Sequence, residues 1–277
     1  AIGVPPLTHK FQSSGASSSG GVPFAVEGPP TSRESGAFAI MKEAPLPHPT
    51  RAAMPSVIVF DVNETLLDLA ALDSVFERIF GDASVREAWF GQVLQSALTT
   101  TLVGPYVDFS TIGRAALDMV AQRRGTMLSE LDRSAVAEGV RTLPPHDDVP
   151  DSLARLRDAG FRLAALSNGT PEVLAHQLEH AGLAEAFDAI YSADAVQRLK
   201  PAPEPYQMAA DALTVDPSDI RFVAAHTWDV AGAMGAGCAT AFIARPGKVL
   251  DPTLPAPDLS GPDLRTVADQ IIELDAQ

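Results

Sequence analysis

A chain of 277 residues, 46% of them hydrophobic, has enough apolar surface for one large domain or a core domain with a smaller companion. Its 35 acidic against 20 basic side chains give a formal charge of −15, which opposes nucleic acid and anionic membrane surfaces, so an anionic ligand would need a local basic pocket. The single cysteine, Cys238, reads as a core thiol and excludes a disulfide framework; no apolar run approaches the roughly 18 residues of a membrane span, so a cytoplasmic protein is expected.

In chain order, residues 1–54 are crowded with Pro, Gly and Ser and show no hydrophobic period. Such a segment cannot bury enough surface to offset chain entropy, so a disordered leader is expected, with Met54 an equal candidate for the biological start. The run SVIVFD (56–61) is a buried strand ending on a carboxylate, Asp61. Residues 69–144 then carry only helical patterns, at 69–81, 85–103, 109–125 and 131–143. This helical insertion either closes as a cap over a site or covers one face of a sheet. Afterwards strands and helices alternate: helix 149–160 closed by Gly160, strand FRLAALSN (161–168), helix 171–183 with Thr170 as N-cap and Pro171 at the first position, and a weaker strand DAIYSAD (188–194). Helix 203–215 and the strands IRFVAAH (220–226) and ATAFIAR (239–245) complete the series. The pattern predicts a doubly wound parallel α/β sheet, its core formed by residues 55–68 and 145–277 and its cap by 69–144.

Ligands of open α/β sheets bind at the carboxyl ends of the strands. Asp61, Ser167 with Asn168, Lys200, and His226 with Asp229 all follow strands, and the fold would bring them to one rim. Each alone is an ordinary cap, turn or surface residue; their joint placement points to a site. His176 and His180, at i and i+4, have no third metal ligand and are expected at the surface. Gly232, Gly235 and Gly237 do not follow the dinucleotide-binding order and are expected to allow close helix packing.

The ordered set FDVNETLLD, LSNG, KPAPEPY and HTWDVAGA resembles the haloacid dehalogenase superfamily over about residues 56 to 246. Two features separate its branches. Where the superfamily's phosphatases have a second Asp as general acid, this chain has Asn63, whose amide cannot donate a proton in that way. Where they hold Mg²⁺ with further acidic residues, the chain offers only Asp229 after Ala224, Ala225 and His226. The W-D at Trp228 and Asp229, and the K-P-x₄-Y of Lys200, Pro201 and Tyr206, are similar to the 2-haloacid dehalogenase branch.

That resemblance implies a haloacid dehalogenase-like core with an inserted helical cap, a small anionic haloacid as substrate, and neither cofactor nor metal. Asp61 would attack the halogen-bearing carbon to form an aspartyl ester, which water then opens. Lys200 would keep Asp61 ionised, and Asp229 would orient Lys200 and help activate the water. Thr65, Ser167 and Asn168 would hydrogen-bond to Asp61 and the substrate carboxylate, joined by amides of the 62–65 loop, Val62 and Asn63 among them. Tyr206 would support the lysine or the nucleophile from the side. A homodimer is compatible with the family pattern, although no stripe in the sequence marks an interface.

The chain also departs from the family. Phe90 stands where family members carry an arginine that reaches the departing halide; its ring edge can contact a halide but brings no charge. Arg114 is a candidate replacement. His226 is open to three readings: a halide or carboxylate donor, an aid to water activation, or a packing residue at a strand end. Two rivals to dehalogenation therefore stand: a Mg²⁺-dependent phosphatase, and an inactive member that binds a small acid or a partner.

Overall fold

The structure, a computed structural model, describes residues 56–275; the leader expected over 1–54 lies outside them. Six strands form one parallel sheet in the order β3-β2-β1-β4-β5-β6. They are β1 (Val57–Phe60), β2 (Arg162–Ser167), β3 (Ala189–Ser192), β4 (Ile220–Ala224), β5 (Ala239–Ile243) and β6 (Leu259–Gly261). Central β1 pairs with β2 (Val59 opposite Ala164) and with β4 (Val59 opposite Phe222). Side chains alternate across a strand, so β1 feeds two cores. Ile58 and Phe60 join the cluster that includes Leu153, Leu156, Val267 and Ile271; Val57 and Val59 join the one that includes Tyr206, Ala209, Val230 and Ala233.

The first cluster is covered by α5 (Val149–Asp158), α6 (Pro171–His180) and α9 (Leu264–Asp275), and the second by α7 (Pro203–Leu213) and α8 (Thr227–Gly235). β6 and α9 extend the fold beyond the five strands that the sequence pattern predicts. α9 buries Leu264, Val267, Ala268 and Ile271 at helical spacing, and Arg221 of β4 ion-pairs with its last residue, Asp275. Thr170 has the extended backbone of an N-cap, but its side chain makes no capping bond.

Between β1 and α5 lie the predicted helices: α1 (Asp73–Phe80), α2 (Val85–Val103), α3 (Phe109–Arg124) and α4 (Glu130–Arg141). A capping box of Ser129 and Asp132 starts α4. Trp89 of α2 packs on Phe76 of α1, and its indole N–H donates to the Gly113 carbonyl of α3 at 2.9 Å. The outgoing and returning strands of chain meet where this block begins and ends. The Asp68 amide donates to the Pro144 carbonyl at 2.8 Å, and the His146 amide to that of Leu66 at 2.9 Å.

Of the three glycines near β5, only Gly232 permits close packing. A Cβ there would stand 2.6 Å from both Pro201 Cβ and the Tyr206 hydroxyl, whereas Gly235 has open space and Gly237 takes φ +96° in a turn. No helix among the described residues is long and apolar enough to cross a membrane.

Candidate active site

The hydrophobic run of β1 ends on Asp61, which is only 5% exposed. Its Oδ1 accepts from Lys200 Nζ at 2.9 Å and its Oδ2 from Thr65 Oγ1 at 2.7 Å. The same ammonium donates to Asp229 Oδ2 at 2.7 Å and to the Leu166 carbonyl at 2.8 Å, so all three of its donors are engaged. Burial opposes the charge on Asp61, yet Lys200, then His226 and the Thr65 hydroxyl, hold its carboxyl well below the usual range. Burial likewise opposes the charge on Lys200, but Asp229 and Asp61 keep the ammonium above its ordinary value. Burial, aided by the Asp61 charge, pushes Asp229 up to about 6 against the pull of Lys200.

The expected residues gather here with altered partners. Asn168 does not reach Asp61: its Oδ1 accepts from the Lys200 amide at 2.7 Å and its Nδ2 donates to the Lys200 carbonyl at 3.2 Å, pinning the backbone that aims the ammonium. Ser167 Oγ accepts from the Gly169 amide at 3.1 Å and also does not touch Asp61. Ser167 ends β2 and is taken by the amide two residues on, while Asn168 just beyond it is taken by the Lys200 backbone. Tyr206 donates to Asp229 Oδ1 rather than to the lysine or the nucleophile. Asn63 is tied by its Oδ1 to Gln177 Nε2 at 3.0 Å, while the Val62 carbonyl accepts from Leu66 and Leu67 to close the loop. Thr65 Oγ1 also accepts from the Ala225 amide at 2.9 Å, joining the ends of β1 and β4.

Three residues that the motifs do not single out complete the site. Glu64, at φ +63° and 8% exposed, accepts at Oε2 from Lys248 Nζ at 2.7 Å and pairs with His226 Nε2 at 2.8 Å. Burial works against its charge, but His226 and then Lys248 hold its carboxyl below the usual range. The other imidazole nitrogen, Nδ1, is buried without a hydrogen-bond partner, 3.5 Å from Asp61 Oδ2. Burial disfavours the imidazolium, yet Asp61 and Glu64 raise His226 to about 9. Trp228 stacks on that ring at 5.2 Å and Phe90 lies 6.1 Å from it. Arg245, just after β5, clamps the Thr65 carbonyl through Nε and Nη2 at 3.1 and 2.9 Å and Asp148 through Nη1 at 2.7 Å. Arg114 is exposed and makes no hydrogen bond or ion pair with a described residue.

Phe90 and Leu69 line two cavities, one of about 220 Å³ that is mainly apolar and one of about 570 Å³ that is more polar and bordered by Glu64 and Lys248. Among the described residues no group of three His, Cys, Asp or Glu side chains is placed to hold a metal ion. The Lys200 ammonium itself fills the point between Asp61 and Asp229.

The model of the haloacid dehalogenase-like hydrolases matches residues 55–237, about two thirds of the chain. The chain belongs to that family. Among its relatives, the (S)-2-haloacid dehalogenase of Pseudomonas sp. (strain YL) is 33% identical over 214 residues, covering 76% of this chain and 92% of that protein. The (S)-2-haloacid dehalogenase of Xanthobacter autotrophicus is 34% identical over 197 residues, 69% of this chain and 76% of that one. A solved structure of L-2-haloacid dehalogenase from Xanthobacter autotrophicus with chloropropionic acid covalently bound superposes with a TM-score of 0.74 at 28% identity, covering 79% of this chain and 98% of that one. This haloacid dehalogenase-like chain therefore spans most of the length of proteins whose names specify that substrate class.

Proposed function

We propose that the protein is a hydrolytic dehalogenase that converts a short 2-haloalkanoic acid to the 2-hydroxy acid through an ester on Asp61. One observation carries this reading: a buried carboxylate, kept anionic by an ammonium 2.9 Å away, ends the central strand of a haloacid dehalogenase-like fold. An oxygen of Asp61 bonds to the halogen-bearing carbon as the carbon–halogen bond breaks, and halide leaves with the bonding pair. The halide needs no proton, which suits Asn63 where a phosphatase would place an acid. Water then adds to the Asp61 carboxyl carbon, and collapse breaks its bond to the substrate oxygen. One water proton ends on the product hydroxyl and the other is released.

In this reading Lys200 holds Asp61 ionised, while Asp229, set by Tyr206, aims Lys200. Asp229 is wholly buried and held by Lys200 and Tyr206, whereas His226 Nδ1 lies beside Asp61 with no hydrogen-bond partner, so water activation is assigned to His226 backed by Glu64. Esterification removes the Asp61 charge that helps keep His226 protonated, freeing its Nδ1 as a base when water is needed. Thr65 orients Asp61, Asn168 and Ser167 shape the turn beneath Lys200, and Val62 and Asn63 border the substrate carboxylate. Phe90 packs over the reacting end.

The test is halide release from chloroacetate and 2-chloropropionate with EDTA present, run beside a panel of phosphate esters. Dehalogenation should persist and Asp61→Asn should lack it; phosphate release that requires Mg²⁺ would replace this reading with the phosphatase one. Single turnover in ¹⁸O water should label Asp61 before product. A cytoplasmic setting fits Cys238, which has no cysteine partner and whose thiol burial pushes up to about 12. A homodimer is carried on family likeness alone, and light scattering measures it.

A further inference from the structure

The volume of about 220 Å³ between helical block and sheet is larger than a two- or three-carbon acid requires beyond its reacting end. It abuts the site through Asn63, Gly169 and Phe90. Away from those residues its wall is mainly apolar, aliphatic at Val93, Leu117 and Val136 and aromatic at Trp89 and Phe109. Two arginines on its border are turned to other work: Arg133 pairs with Asp118 and Glu130, and Arg141 with Glu138. Arg114 is exposed. A water-sized group takes roughly 30 Å³, so the space holds about seven such groups.

Resting on the dehalogenase reading, we infer that this cavity is a tail site and that the preferred substrates are 2-haloalkanoates with an unbranched apolar tail of about three to six carbons on the halogen-bearing carbon. The reacting carbon stays at Asp61, and the tail passes Phe90 to lie between α2, α3 and α4. Each methylene moved from water into such a wall strengthens transition-state binding by about fourfold. A two- or three-carbon acid still reacts at Asp61 but leaves the space to water and forgoes that gain.

Gly113 supplies the test. It sits on α3 in the cavity wall, and a Cβ there would meet only the Trp89 ring edge at 3.9 Å, an ordinary contact. Gly113→Leu therefore puts an aliphatic plug into the space without a backbone clash. Bromide release is measured from 2-bromopropanoate, 2-bromobutanoate, 2-bromohexanoate and 2-bromooctanoate, by the native enzyme and by Gly113→Leu, with Val136→Phe as a second plug from α4. The native kcat/KM should rise roughly sixtyfold from the three-carbon to the six-carbon acid. In each folded plug variant, checked by melting, the ratio of six- to three-carbon kcat/KM should fall at least tenfold. A native series that is flat or falls with length, or a ratio unmoved by both plugs, overturns the tail site while dehalogenation stands. Absence of bromide from every acid removes the dehalogenase reading and the inference with it.

Discussion

The two sides of the cleft are built on opposite principles. On the sheet side, charges are buried and paired: Asp61, Lys200, Asp229, Glu64 and His226 are joined by hydrogen bonds and ion pairs in one network. On the helical side the wall is apolar, Phe90 and Trp89 face inward, and the arginines pair outward or stand in solvent. A buried charge network tolerates almost no change, since removing one partner strands the others without solvation. An aliphatic wall changes by increments of a methylene. In the proposed reading chemistry belongs to the sheet and choice of substrate to the helices, and substitutions on the two sides should differ in size and in kind.

The largest effect should come from Asp61→Asn, with kcat down at least about a thousandfold and no ester adduct by intact mass. Retention of turnover would break the comparison at its root. Lys200→Met leaves two carboxylates buried together and should cost about 3–5 kcal/mol in denaturant unfolding, along with most activity. His226→Gln keeps a partner for Glu64 but removes the free Nδ1 edge. Ester should then accumulate in rapid-quench mass spectra while its formation proceeds, with kcat down roughly ten- to a hundredfold.

The imidazole also sets a pH signature. Its folded-state pKa of about 9 lies above the unfolded value of 6.5, so its stabilising contribution is full below about 6.5 and is lost as pH rises through 9. Melting curves between those limits should show the native protein losing up to about 3 kcal/mol relative to His226→Gln. The smallest effect is expected for Arg245→Met, which frees the Thr65 carbonyl; about 1–3 kcal/mol of stability and a several-fold fall in kcat should follow.

Strand ends on a parallel sheet converge whatever lies between them, so Asp61, Lys200 and Asp229 were legible as a constellation from order alone. Their supports were not. Glu64 stands within the same motif, but nothing in a linear pattern pairs it with His226 and Lys248, which only the crossing of β4 and the loop after β5 bring near. Arg245 likewise closes the predicted fifth strand segment and acts on a carbonyl 180 positions earlier. Ser167 and Asn168 stand at the carboxyl end of β2 as their order implies, yet the Gly169 amide takes the first and the Lys200 backbone the second. β6 is three residues after a proline-rich loop, too short for a period to register; the spacing of Leu264, Val267, Ala268 and Ile271 in α9 was readable, but an alternation that stops at β5 gives it no strand to cover.

The missing side chain at position 232 has a reach out of proportion to its size. Since α8 rests directly on Pro201 and Tyr206 there, one added methyl would wedge the helix outward and draw the acid it carries off the ammonium. A single alanine there could silence the enzyme while leaving every reacting group in its sequence intact.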